Sequence, residues 1–133
     1  MKYNIHVTQA AERDMANAYD YIDLVLKNPT AADKLLDVAD EKIGALTEFP
    51  HKFEVVADKL LSLWEIRFTN VMNYLAFYTV DDATQTVHIV RFLYGKSNWI
   101  TILKTDAAQI VEKLLGPLWE GAPPAGGGGE SFT

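Results

Sequence analysis

Segments of alternating or periodic hydrophobicity follow one another along this chain in an order that few folds accommodate. Residues 2–7 alternate apolar and polar side chains, the period of a half-buried strand, and two longer segments place apolar side chains every three or four residues, the period of an amphipathic helix. Three alternating segments follow, at residues 64–68, 74–80 and 86–94. The pattern predicts one strand, a helical pair and three antiparallel strands.

Capping residues set the limits of the two predicted helices. Thr8 stands where an N-cap belongs, and the first helix is predicted to run to about Lys27, before Asn28 and Pro29 interrupt it. Thr30 to Asp33 resembles a capping box, so the second helix is predicted to start there and to end near Glu48 to Pro50. Residues 51–60 show no sustained period and are predicted to form a loop.

The C-terminal part of the chain differs in composition from the rest. Asp106 begins a second capping signal, followed by a short apolar pattern that ends at Gly116 and Pro117, and a C-terminal helix is predicted here. Residues 119–133 are rich in glycine and proline, with four consecutive glycines, and such a segment buries too little to offset its ordering entropy. We therefore predict one folded domain, residues 1–118, and a flexible tail, residues 119–133.

Neither predicted helix can bury its apolar stripe alone. The simplest packing places the two helices, antiparallel to each other, across one face of a four-stranded, mainly antiparallel sheet. The predicted fold is therefore α+β, with strands and helices in the order β-α-α-β-β-β and a further helix at the end.

Composition narrows the classes of function. The chain has 133 residues, a net charge of −6 and no cysteine, so disulfides and thiolate chemistry are absent and autonomous binding of nucleic acid is not expected. Its three histidines, His6, His51 and His88, lack metal-ligand spacing, and no cofactor or structural metal is expected. No apolar run approaches the ~20 residues of a bilayer span. A soluble, cytoplasmic protein without a membrane partner is predicted.

Several short motifs occur in a recognisable order: Leu46 to Pro50 at the end of the helical pair, Ile66-Arg67, Tyr74 to Tyr78, and Ile89 to Gly95. In that order they resemble the RelE/ParE superfamily of bacterial toxins, over residues 2 to about 103. The resemblance implies the toxin of a type II toxin-antitoxin module, often called a plasmid stabilisation protein, with a cognate antitoxin as partner. RelE-type members cut messenger RNA on the ribosome, whereas ParE-type members block DNA gyrase.

The resemblance also implies site residues. Arg67 matches a basic position on the first strand of the three, and Arg91 and Tyr94 match the arginine and the tyrosine-or-histidine common in last strands. Leu75 and Ser97 stand where many nucleases of the superfamily have basic residues. This departure and the acidic net charge favour a ParE-like toxin that binds a target protein. The alternatives are a RelE-like, metal-independent endoribonuclease that uses Arg67, Arg91 and Tyr94, and a non-toxic interaction module.

Strand parity bears on whether these residues act together. Cleavage through a 2′-hydroxyl needs a base, an acid and cations close together, and His88 and Glu65 are further candidates for proton transfer. Regular alternation places Arg91 on one face with Val87 and Ile89, and Tyr94 on the other with His88. Arg91 among apolar neighbours needs an anionic partner, and we expect a helix carboxylate such as Asp20 or Asp23.

Overall fold

A computed structural model of the chain describes residues 2–106 and contains one four-stranded mixed sheet. The strands are β1 (Asn4–Val7), β2 (Arg67–Val71), β3 (Tyr74–Asp81) and β4 (Thr86–Tyr94). They lie in the order β1-β4-β3-β2, with β1 parallel to β4 and the other two pairs antiparallel. The predicted α+β class and order of elements are confirmed.

Two helices connect β1 to the rest of the sheet. Helix α1 (Gln9–Asp20) begins where predicted, because the Thr8 hydroxyl accepts a hydrogen bond from the backbone N–H of Ala11. It continues into one π-helical turn, Tyr21–Val25, which closes with the N–H of Leu26 donating to the carbonyl of Tyr21 at 3.0 Å.

The second helix starts two residues earlier than predicted. Helix α2 (Pro29–Gly44) has Pro29 in its first turn and Asn28 as its N-cap, with the Asn28 side chain accepting from the N–H of Ala31 at 3.1 Å. The predicted capping box at Thr30 was wrong, because an asparagine before a proline caps the helix first. A 3₁₀ turn, Ala45–Thr47, follows α2 and ends the helical pair.

The core lies between the helical pair and the face of the sheet that the pair covers. Both helices contribute mostly small or aliphatic side chains, β2 to β4 contribute buried side chains, and β1 contributes the partly buried Ile5 and Val7. The buried members of this cluster are Ala11, Ala18, Ile22, Ala32, Leu35, Ala39, Ile43, Leu46, Val71, Ala76, Tyr78, Val87, Ile89 and Phe92. Small residues on the helices permit close approach to the sheet, which fits the apolar stripes read from the sequence.

The segment between the helical pair and the sheet departs most from the prediction. A short helix, α3 (Lys59–Leu63), overlaps the end of the predicted loop and extends beyond it. The Asp58 carboxylate caps this helix by accepting from the N–H groups of Leu60 and Leu61. Glu65 then adopts φ of 53°, a left-handed conformation, so β2 begins at Arg67 rather than at Trp64. The strand predicted over 64–68 was therefore wrong at its start.

A β-bulge divides β4. Phe77 pairs with Arg91 and Tyr78 pairs with Ile89, so Val90 is an extra residue on β4. Beyond it the alternation changes phase, and Phe92 joins Val87 and Ile89 on the helix-covered face. The predicted grouping of Arg91 with Val87 and Ile89, and of Tyr94 with His88, was wrong for this reason.

The opposite face of the sheet is partly covered. Trp99 packs there against the rings of Phe77 and Phe68, with centroid distances of 5.1 and 6.2 Å. Residues 99–106 are helical, and the described residues end at 106. The chain divides into units 1–100 and 101–133. The predicted helix from Asp106 to Gly116, the boundary at 118 and the tail 119–133 lie wholly or almost wholly outside the described residues.

Candidate functional site

Arg67 is tied to the loop that precedes α3. Its Nη1 atom donates to the carbonyl oxygens of His51 and Phe53, and its backbone forms an isolated bridge with Val55. Its Nε atom is buried and has no hydrogen-bond partner among residues 2–106. Bonds from a guanidinium to carbonyl oxygens are charge-assisted and stronger than neutral ones. The arrangement therefore fastens residues 51–55 to the start of β2.

Tyr78 supports the same loop from the neighbouring strand. It pairs with Arg67 across the sheet, is fully buried, and donates its hydroxyl to the carbonyl of Pro50 at 2.9 Å. Burial raises the pKa of the Tyr78 phenol to about 12, although the positive charge of Arg67 acts in the opposite direction. Loop residues 50–55 are thus held by one neutral donor and one charged donor.

Arg91 is bound by a helix carboxylate. Its Nε and Nη2 atoms donate to the two carboxylate oxygens of Asp14 at 2.6 and 2.9 Å, and both side chains are mostly buried. Asp14 also accepts from the backbone N–H of Phe92 at 3.0 Å. The expected helix carboxylate is present, but it is Asp14 in the second turn of α1 rather than Asp20 or Asp23.

Tyr94 is the last residue of β4 and lies beside a concave apolar surface that we call the tip cavity. The cavity has a volume of about 560 Å³ and is formed by the π-helical turn, the start of α2, the β2–β3 turn and the end of β4. Its lining residues are Tyr21, Ile22, Leu26, Asn28, Ala31, Met72, Asn73, Tyr74 and Tyr94. Several of them are well exposed, including Leu26 at 55% and Met72 at 44%.

Aromatic contacts organise the floor of the tip cavity. Tyr74 stacks on Phe92 at a centroid distance of 5.2 Å and meets Tyr94 edge-on at 5.7 Å. Burial raises the pKa of the Tyr74 phenol, and the nearby phenols of Tyr21 and Tyr94 add to the effect. Tyrosine rings and apolar side chains line most of this cavity, with Asn28 and Asn73 as the other polar residues, and this composition suits apolar groups of a ligand.

The structure does not bring Arg67, Arg91 and Tyr94 together. Along β3, Arg67 is level with Tyr78 and Tyr94 with Tyr74, a separation of four residues, or about 13 Å at 3.3 Å per residue. Arg91 is level with Phe77, an odd number of residues from Tyr74, so its position and that of Tyr94 belong to opposite faces.

The two further candidates for proton transfer are also separate from one another. Glu65 is exposed before β2, whereas His88 lies on β4 beside His6 of β1. The Nδ1 atoms of His6 and His88 are 2.8 Å apart, and the rings meet at 88°. Burial lowers the pKa of His88, as does the neighbouring His6, while Asp81 acts in the opposite direction.

Three functional features were missed from the sequence: the pairing of His6 with His88, the role of Asp14, and the aromatic wall of the tip cavity. The histidine pair follows from the parallel register of β1 and β4, which no local pattern reports. The apolar stripe of the first helix, which includes Ile22 and Leu26, was visible in the sequence, but the exposure of Leu26 was not.

Within residues 2–106 no helix is long and apolar enough to cross a membrane. In the same part of the chain, no three His, Cys, Asp or Glu side chains gather into a potential metal site.

Comparison with solved structures places this architecture in the RelE/ParE-like class. The toxin-antitoxin complex RelBE2 from Mycobacterium tuberculosis matches with a TM-score of 0.51 and 20% identity, covering 71% of this chain and 92% of that chain. The chromosomal ParDE system from P. aeruginosa matches with a TM-score of 0.54 and 18% identity, covering 70% and 96%. At these identities the likeness concerns the fold.

Sequence comparison is more specific. The family described as the ParE toxin of the type II toxin-antitoxin system parDE matches residues 5–99, which is more than half of the chain. No curated protein sequence matches significantly. The chain belongs to the ParE toxin family of type II toxin-antitoxin systems, and the resemblance read from its motifs is confirmed.

Proposed function

We propose that this chain stops growth by binding a target protein such as DNA gyrase, and that a cognate antitoxin neutralises it. Membership of the ParE toxin family supports the toxin role. The structures that it resembles were solved as toxin-antitoxin systems, which supports an antitoxin partner. The choice of a protein target over messenger RNA rests on the described side chains.

The main support for this choice is that both arginines of the sheet are already bonded to other groups of the protein. Arg91 is in a bidentate pair with Asp14, and Arg67 donates to two loop carbonyls. A nuclease would need these guanidinium groups to face the developing charge at phosphorus, close to the proton-transfer groups. Here each is bonded within the protein instead. Tyr94 is four residues along β3 from the level of Arg67, and its position is on the opposite face from that of Arg91. This arrangement supports action through protein binding.

The tip cavity is where we place the antitoxin's apolar side chains. Leu24 and Val25, next to the cavity on the π-helical turn, are 66% and 62% exposed, and Leu26, Met72 and Tyr94 add further apolar area. Large contiguous apolar patches on small proteins commonly mark protein contacts. A segment of the antitoxin with aliphatic or aromatic anchors would fill this cavity.

Position 72 offers a variant that tests the cavity without threatening the fold. Met72 has φ of 57°, a conformation that asparagine adopts more readily than methionine, so Met72→Asn removes an apolar side chain while suiting the backbone. Leu63→Asn is the matched control, because Leu63 is 75% exposed on α3 and does not line the cavity.

The test uses the full chain and the product of the adjacent open reading frame. We expect induction of the chain alone to stop growth, co-expression of the neighbour to restore it, and a pull-down to recover both proteins. Met72→Asn should weaken the pull-down while Leu63→Asn leaves it unchanged. Equal recovery with both variants would show that the antitoxin does not bind at the tip cavity. Unaffected growth on induction would contradict the toxin role.

A second experiment separates the targets. Purified chain is added to a gyrase supercoiling assay, and messenger RNA from induced cells is mapped by primer extension. Inhibited supercoiling with intact messages is the expected result. Discrete cuts inside codons would identify a ribosome-dependent nuclease instead, and failure of both assays with normal growth would indicate a non-toxic interaction module.

A further inference from the structure

The facing histidines of β1 and β4 form a pair to which the proposed function assigns no role. His6 and His88 are register partners in the parallel pair, 82 residues apart in sequence. Their Nδ1 atoms approach to 2.8 Å, a distance at which one neutral ring donates its Nδ1–H to the other. His6 is exposed and His88 is half-buried, so solvent and ions can reach the pair.

The separation of the two nitrogen atoms fits a particular coordination geometry. A metal ion about 2.0–2.1 Å from each Nδ1 atom would subtend about 84–89° between nitrogens 2.8 Å apart. That angle is close to the right angle between adjacent ligands in square-planar, tetragonal or octahedral complexes. A tetrahedral ion at the same bond lengths would need nitrogens about 3.3–3.4 Å apart.

We propose that His6 and His88 form a bidentate site for a divalent transition metal of tetragonal or octahedral preference, Cu²⁺ or Ni²⁺, through their Nδ1 atoms. These ions suit nitrogen ligands and rank at the top of the affinity order for divalent first-row metals. On binding, the proton on the donating Nδ1 atom moves to Nε2 of the same neutral ring, so both Nδ1 lone pairs face the metal. No net proton is released by that exchange.

The surroundings of the pair favour a cation and limit its ligands. Asp81, at the end of β3, lies near enough for its negative charge to act on His88. Its Oδ1 atom accepts from the N–H groups of Ala83 and Thr84, and among residues 2–106 it does not form a three-residue ligand cluster with the two histidines, so Asp81 contributes charge. Since residues 2–106 contain no cluster of three candidate ligands, water completes the coordination and the ion exchanges readily.

Metal binding at this site would join β1 to the sheet. Strand β1 is an edge strand of four residues whose ladder hydrogen bonds go to β4, its neighbour in the sheet. A metal that bridges two side chains 82 residues apart binds the unfolded chain poorly, because the long loop between them would first have to close. It should therefore stabilise the folded state by an amount that increases with metal concentration above the Kd, and protect the β1 amides from hydrogen exchange.

The test titrates Ni²⁺ alone, by calorimetry, into the full chain and three histidine variants. The expected result is one ion per chain, with binding weakened at least about tenfold in His6→Ala and in His88→Ala. His51→Ala is the matched control and should bind like the wild type, because His51 is bonded to Asp82 elsewhere on the surface. Cu²⁺ spectroscopy should show two equatorial nitrogen ligands, reduced to one in each single variant.

Two measurements guard against a folding artefact. Circular dichroism without metal establishes that each variant is folded, and thermal melting with and without Ni²⁺ measures the stabilisation. Ni²⁺ should raise the Tm of the wild type and of His51→Ala but not of folded His6→Ala or His88→Ala. Wild-type affinity in both of those variants, or an equal loss in His51→Ala, would overturn the proposal. None of these readouts depends on toxicity, so they are independent of the proposed function.

Discussion

Asp14 and Arg91 form a bidentate ion pair that joins α1 to β4, with nitrogen–oxygen distances of 2.6 and 2.9 Å. Strand β1 ends at Val7, so β4 continues beyond its parallel neighbour. There the Asp14 carboxylate accepts from the backbone N–H of Phe92, a group that has no β1 partner. The Asp14 carboxylate therefore accepts hydrogen bonds both from the Arg91 side chain and from the exposed backbone edge of β4.

Removal of the charge on Asp14 should destabilise the fold. In Asp14→Asn the Arg91 guanidinium loses its anionic partner in a mostly buried setting, and loss of one partner of such a pair costs about 3 kcal/mol. Urea denaturation measures this free energy. Asp20→Asn, on the same helix but exposed, is the control and should change stability by less than about 0.5 kcal/mol. Equal effects would show that the pair contributes nothing particular.

Arg67 should behave as a structural residue rather than a catalytic one. Arg67→Met keeps the apolar stem but leaves the carbonyls of His51 and Phe53 without their charged donor, which should cost about 1–3 kcal/mol. Hydrogen exchange should accelerate in residues 51–56. Toxicity per folded molecule should be retained. Full stability with abolished toxicity would instead give Arg67 a direct role at the target.

Tyr78 should make stability fall in alkaline solution. Its phenol has a pKa near 10 when unfolded and about 12 in the folded protein. Below pH 10 both states keep the proton, so the contribution is constant there. Between pH 10 and 12 the unfolded chain loses the proton while the folded protein keeps it, and the free energy of unfolding should fall by roughly 2–3 kcal/mol.

The measurement is a series of urea denaturations from pH 8 to 11.5, for the wild type and for Tyr78→Phe. The variant loses the hydrogen bond to Pro50, which should lower the free energy of unfolding by about 1 kcal/mol at neutral pH. Its free energy of unfolding should, however, fall less than that of the wild type as the pH rises. Other tyrosines titrate in both proteins, so the difference between the two curves isolates Tyr78. Parallel curves would mean that the folded phenol has an ordinary pKa.

The parts of the fold that sequence predicted are those governed by local periodicity. The helix from Gln9 and the strand Thr86–Tyr94 were correctly placed because capping and alternation are local signals. The predicted starts of α2 and β2 were wrong because each start depends on one residue. Asn28, rather than Thr30, caps α2, and Glu65 has a left-handed backbone conformation that delays β2.

The candidate site was less predictable because it depends on register between distant strands. A single extra residue, Val90, reverses which side chains share a face, and no composition signal marks it. Arg91 was expected to need a helix carboxylate, and it has one. The choice of Asp14 over Asp20 depends on how far α1 runs beside β4, which periodicity does not report.

Two glycines should respond in opposite directions to the same substitution. At Gly95 a Cβ atom would lie 3.2 Å from the carbonyl oxygen of Asn73, which accepts a hydrogen bond from the Gly95 N–H at 2.8 Å. Crowding of this backbone contact should make Gly95→Ala destabilising by about 1–2 kcal/mol.

Gly44, by contrast, ends α2 with φ of −60° and ψ of −33°, and a Cβ atom there would meet nothing within 4 Å. Gly44→Ala should therefore stabilise the protein by about 0.5–1 kcal/mol, because alanine restricts the unfolded chain and fits the helical backbone. Thermal and urea denaturation of both variants checks the pair. If alanine stabilised the protein at both sites, the prediction for Gly95 would be wrong. The backbone of the β2–β3 turn and the end of β4 would then move apart at little cost.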